Sequence, residues 1–112
     1  MGMHQLSLIG RFKRAIILRN ARRALESRAI TKIVQAIRTL ETTEYNEAEF
    51  SNEEQQVMYL ASLFYEACSI NSDDDIVDAY SAMQNSPYSG SFEFTDEEQE
   101  RIRIAMQLRP IQ

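Results

Sequence analysis

Residues Ser51 to Ile70 read SNEEQQVMYLASLFYEACSI. Ser51-Asn52-Glu53-Glu54 is a capping box: the serine hydroxyl accepts from the amide three residues on, and Glu54 returns to the serine amide. Two acids in the opening turn also suit the positive end of a helix dipole. Val57, Leu60, Ala61, Phe64, Ala67 and Cys68 then recur at helical spacing and form one apolar stripe. The segment predicts an amphipathic helix that runs to about Ile70 and presses this stripe against neighbouring helices.

Downstream the same start signal returns. Phe50-Ser-Asn-Glu-Glu-Gln55 is matched by Phe94-Thr-Asp-Glu-Glu-Gln99, 44 positions later. Met58, Leu60 and Ala61 then stand in register with Ile102, Ile104 and Ala105. A duplicated helical hairpin would give this echo. So would two independent helices with the same good cap, and the fading resemblance beyond the cap favours the second reading. Between them, Asn71 or Ser72 caps a helix with Asp73, Asp74 and Asp75 in its first turn and Ile76, Ala79, Tyr80 and Met83 on its inner face. That helix stops by Ser86, because Pro87 disfavours helix just before it. Ser86 to Ser91 reads as a surface loop and Phe92-Glu93-Phe94 as a short extended piece. In the Thr95 helix, Ile102, Ala105, Met106 and Arg109 share a face, Ile104 and Leu108 lie beside it, and Pro110 ends it.

Upstream, Arg11 to Leu40 is helical in pattern, with Gly10 either a break or a tolerated residue. One straight helix does not explain it. Ile17, Leu18, Ala21, Ala24 and Leu25 lie on one face. Ile30, Ile33, Val34, Ile37 and Leu40 lie on another, rotated by roughly 150° at 100° per residue. The expectation is a break near Glu26–Ala29 with Ser27 as the new N-cap. Residues 41–50 read as a polar linker. A chain of 112 residues with three Gly and two Pro therefore predicts an all-α fold: a compact bundle of four to five short helices in a single domain spanning 1–112. A basic helical segment (1–40) precedes an acidic helical part (51–109).

Charge is divided along the chain. Residues 1–40 hold nine Lys/Arg and one Glu, a formal +8. Residues 41–112 hold three Lys/Arg and sixteen Asp/Glu, a formal −13. Such asymmetry points to nucleic acid, a membrane surface, an acidic partner or the chain's own other half. An Arg-rich, acid-free start also has the composition of a transit peptide, but the pattern continues into what reads as folded helix. No secretory signal and no membrane span are expected, and one cysteine excludes an internal disulfide. A cytoplasmic location is the expectation.

The search for chemistry leaves little. His4 is the one histidine and stands near an end with no partner in sequence. Cys68 sits on an apolar stripe, where burial makes a thiol inert. Asn71-Ser-Asp73-Asp-Asp75 begins like a calcium loop, then fails with Ile76 where Gly is needed and Ala82 where Glu is needed. Glu53/Glu54 and Glu97/Glu98 are better read as caps than as a catalytic pair. No enzyme, metal or cofactor is expected.

The remaining candidates are the arginines. Arg11, Arg19, Arg22 and Arg23 share a side opposite the apolar face, and Arg14 lies in the same cluster. The expected function is a non-enzymatic, regulatory protein-interaction module that uses Arg11, Arg14, Arg19, Arg22 and Arg23 against an acidic protein surface, or its own acidic Glu93–Glu100 region. Alternatives are nucleic-acid binding by the same arginines and a structural homo-oligomer in which basic and acidic surfaces meet. Contact of Phe12, Ile16, Ile17 and Leu18 with an anionic membrane surface is the weakest reading.

Overall fold

The computed structural model describes residues 8–43, 49–87 and 92–109. Among them are five helices and no strand: α1 (Leu8–Ser27), α2 (Ile30–Leu40), α3 (Asn52–Ser69), α4 (Asp73–Asn85) and α5 (Asp96–Leu108). Each helix packs on the next in chain order, and α1 also reaches α3. This is the all-α helical bundle expected from the sequence. One contiguous apolar core runs through all five helices, from Ala21 and Leu25 through Ile33, Phe64 and Ile76 to Ile102 and Ala105.

The α1–α2 break falls where the two apolar faces change direction, but its chemistry differs from the expected cap. Ser27 is the last residue of α1, and the N-cap of α2 is Ala29, which makes no side-chain cap bond. Arg28 turns the chain with φ 60°, the left-handed conformation usual at the end of a helix. Its amide donates to Leu25 O at 3.2 Å. The Ser27 hydroxyl donates to Ala24 O at 2.6 Å and accepts from Ala29 N at 3.2 Å, relaying between two backbone groups. Ser27 thus closes the outgoing helix instead of opening the next.

At the other sharp corner Asn71 takes φ 55°. Asn71 N donates to Cys68 O at 3.1 Å and Ser72 N to Ala67 O at 3.2 Å, the two bonds of a Schellman cap. Ser72, the expected alternative to Asn71, caps α4 by accepting from Asp75 N at 3.2 Å. Both corners are short, so neighbouring helices are held close without long connections. Thr42 and Thr43 finish α2 by donating to Thr39 O and Leu40 O.

The echoed start signals form identical devices. Ser51 accepts from Glu54 N at 3.1 Å and its amide donates to Glu54 Oε1 at 2.8 Å. Thr95 and Glu98 do the same at 3.1 and 2.7 Å. In each case the next glutamine also donates to the carbonyl of the preceding phenylalanine: Gln55 to Phe50 O and Gln99 to Phe94 O. Replacement of Ser51 or Thr95 by Ala should therefore cost about 1 kcal/mol each. Chemical denaturation would measure it; a change below a few tenths of that for both would mean the caps are not formed in solution.

The likeness extends further than the caps. In α2 and α4, Ile33, Val34, Ala36, Ile37 and Leu40 stand 43 positions before Ile76, Val77, Ala79, Tyr80 and Met83, and each pair faces inward. The structure thus has two similar hairpins, α2–α3 and α4–α5, with α1 laid on the first.

One contact crosses the stack. Glu93 N donates to Arg28 O at 2.9 Å, and Ala29 and Glu93 form an isolated parallel bridge, which is what the expected extended piece at 92–94 becomes. Beside it Phe94 meets Phe64 edge-on at 5.4 Å and Tyr80 at 5.9 Å. His4, residues 44–48 of the linker, residues 88–91 of the loop and Pro110 lie outside the described residues.

Candidate interaction surface

The arginine cluster divides into two groups once α1 is packed. Ala21 and Leu25 are buried, so the α1 wheel is fixed with Ala21 facing the core. Arg14 and Arg22 lie toward the junction with residues 49–54. Arg14 forms an ion pair with Glu49. Arg22 donates to Glu49 O at 2.6 Å, stands 3.5 Å from Glu54 Oε2 and lies over the Phe50 ring at 5.4 Å. Arg28 follows the same course with Glu53 at 3.6 Å. Glu54 thus caps its own helix with one oxygen and faces Arg22 with the other. Part of the basic segment therefore meets the acidic part of the same chain.

Arg11, Arg19 and Arg23 do not. They are exposed, and among the described residues they make no ion pair or hydrogen bond. Arg19 and Arg23 point outward, about 160–200° from Ala21 at 100° per residue. Between and below them stand Phe12, 68% exposed, and Ile16, 37% exposed. Phe12, Ile16, Arg19 and Arg23 follow the spacing i, i+4, i+7, i+11 and form one strip. Ile17 and Leu18, grouped with them on sequence, instead turn partly inward against the core. A shallow groove bounded by Ala15, Leu18, Arg19, Arg22, Arg23 and Glu26 runs beside the strip.

A second strip lies on α5. Ile104 is 38% and Leu108 62% exposed, and Glu97 lies in line with them two and three turns earlier. Sequence reasoning placed Ile104 and Leu108 beside the inner face and missed their exposure. The hairpin register supplies the reason: 44 positions earlier stand Leu60 and Phe64, which are buried. The side of α3 that carries Leu60 and Phe64 receives the α4–α5 hairpin, through Phe94. No described helix takes that place beside α5.

The three arginines of the acidic part are all engaged. Arg101 donates to Asn71 Oδ1 through Nε at 3.1 Å and Nη2 at 2.7 Å, and pairs with Asp73 at 2.7 Å. Arg109 holds Asp74 at 2.5 Å. Asp73, Asp74 and Asp75 are therefore a dipole-stabilised first turn of α4, two of them tied to the arginines of α5 and its C-cap. Among the described residues no group of three or more His, Cys, Asp or Glu is arranged to hold a metal ion. Arg103 bonds Glu100 on the α5 surface and holds that carboxyl below the ordinary value, while its own pKa is raised. Burial pushes the Cys68 thiol up, the charge of Glu98 adds to the rise and Arg101 opposes it. Among the described residues no helix is long and apolar enough to cross a membrane.

Compared with protein-family models, with characterised proteins and with solved structures, the chain has no match in any of the three.

Proposed function

We propose that this chain is a non-enzymatic protein-interaction module that acts by occupying an acidic helical surface of a partner protein. The observation that carries the reading is the outward strip of α1. It combines an exposed aromatic and an exposed aliphatic side chain with two arginines that have no ion pair among the described residues. Exposed apolar side chains rimmed by charge are the usual composition of a recognition surface. Arginine suits the rim, because its fork binds carboxylates and its plane stacks on side chains. The set of five arginines read from the sequence narrows to Arg11, Arg19 and Arg23 for this role, with Arg14 and Arg22 holding α1 in place. As proposed, a cytoplasmic, regulatory setting fits a module of this kind.

The test is capture of protein from nuclease-treated host lysate on the immobilised chain, with Arg19→Glu/Arg23→Glu as the comparison. Capture should fall at least about tenfold in the variant and weaken with salt, as expected for rim charges that steer association. Both arginines are exposed and removed from the core, so helicity should be unchanged. Recovery of nucleic acid, with proteins lost on digestion, would transfer the same arginines to phosphate recognition and refute this reading.

A further inference from the structure

We infer that the surface which fits the α1 strip is the α5 strip of a second copy of this chain, stacked head to tail. The inference rests on the reading of α1 as the docking face and names its partner.

Three observations converge. The first is position. The larger packings run between helices that are neighbours in sequence, so α1 and α5 are the first and last of the series, although the segment before α5 also reaches the α1–α2 corner through Glu93. The second is register. Leu60 and Phe64 in α3 are buried on the side that receives the following hairpin, and their counterparts Ile104 and Leu108 in α5 are exposed. The end of the stack therefore presents the kind of side that, one hairpin earlier, accepts a helical neighbour.

The third is complementarity in order and spacing. Along α1 the strip runs apolar, apolar, basic, basic: Phe12, Ile16, Arg19, Arg23. Along α5 it runs acidic, acidic, apolar, apolar: Glu97, Glu100, Ile104, Leu108. Both strips cover twelve residues, eleven steps or about 16 Å of helix. Laid antiparallel, Phe12 comes opposite Leu108 and Ile16 opposite Ile104. Arg23 then faces Glu97, and Arg19 comes beside Glu100. Laid parallel, the apolar and charged halves would be mismatched. Glu97 has no ion pair among the described residues, and Glu100 is bonded only along its own helix to Arg103. Asp75, Asp78 and Asp96, also exposed, add negative charge to this end, against the exposed Arg103 and Arg109.

The contact uses different faces on the two copies, so it is heterologous and leaves a free head and a free tail on every dimer. Its small apolar centre makes it weak and salt-sensitive.

The experiment is sedimentation of the full chain over a wide concentration range at low and high salt. The weight-average mass should rise above 13.0 kDa with concentration. It should go on rising past the dimer and fall back with salt. Leu108→Ser, at an exposed site outside the core, and Arg19→Glu/Arg23→Glu should each weaken association about tenfold or more, as loss of a central apolar or charged contact does. A chain carrying R19E, R23E, E97K and E100K together should regain it, and circular dichroism checks that each variant is folded. A monomer under all conditions would overturn the inference, as would self-association indifferent to Leu108→Ser. If the chain stays monomeric while Arg19→Glu/Arg23→Glu still abolishes capture of an acidic protein, the self-partner is wrong and the docking face stands. If that variant alters neither, both fall.

Discussion

Phe64→Ala should destabilise the protein by about 3–5 kcal/mol, the range for removing a buried phenylalanine side chain. Phe64 is 0% exposed and is the largest side chain among those fully buried. It also does more than fill space. Its ring meets Phe94 at 5.4 Å, and Phe94 is the residue whose carbonyl accepts from Gln99 at the start of α5. Alanine there would leave a cavity at the centre of the stack and remove the surface on which the entry to α5 rests. Domains of this size have about 5–15 kcal/mol in total, so the variant should lose a large part of its stability. Thermal melting should shift down by roughly 10–20 °C. Phe12→Ala is the control: an exposed side chain on α1 whose loss should move the melt little. A Phe64→Ala cost under about 1 kcal/mol would contradict the packing described here.

Arg101→Met should cost about 2 kcal/mol, the scale of lost hydrogen bonds to a charged donor. Methionine keeps much of the aliphatic stem and removes the guanidinium. Three contacts are lost at once: two to Asn71 Oδ1 and one to Asp73. Asn71 is the left-handed residue that ends α3, and Asp73 opens α4, so one side chain from α5 fastens the corner between the two preceding helices. The buried Nη1 finds no partner among the described residues, and its removal offsets part of the loss. Denaturation of R101M, N71G and the double variant separates the terms. Arg101→Met should cost clearly less in the Asn71→Gly background than alone. Equal costs in both backgrounds would mean that Arg101 acts without Asn71.

The helices were legible in the sequence wherever their determinants are local. Ser51 and Thr95 announce their helices because the bonds that start them lie within four residues. The apolar stripes of α2 and α3 give their buried faces for the same reason. Ser27 misled because it is a good N-cap residue next to a residue that turns the chain without being glycine; the left-handed Arg28 leaves no mark in composition. The arginines divided less readably. Whether Arg22 or Arg19 finds a partner depends on where Phe50 and Glu54 come to rest, and that is set by packing between helices far apart in sequence. The exposure of Ile104 and Leu108 was not legible, because the 44-residue register pairs them with Leu60 and Phe64, which are buried by a following hairpin that α5 lacks among the described residues.

The bridge between Ala29 and Glu93 bears on how the molecule comes apart. A series of helices that touch only their neighbours behaves as a one-dimensional array, in which one unit can open while the next stays closed. Here the segment leading into the last helix is bonded to the corner that precedes the second. Opening either hairpin breaks that bond and uncovers Phe94 and Phe64, which belong to both. The clasp couples the two hairpins, so their opening should be more cooperative than in a series held by nearest-neighbour packing alone.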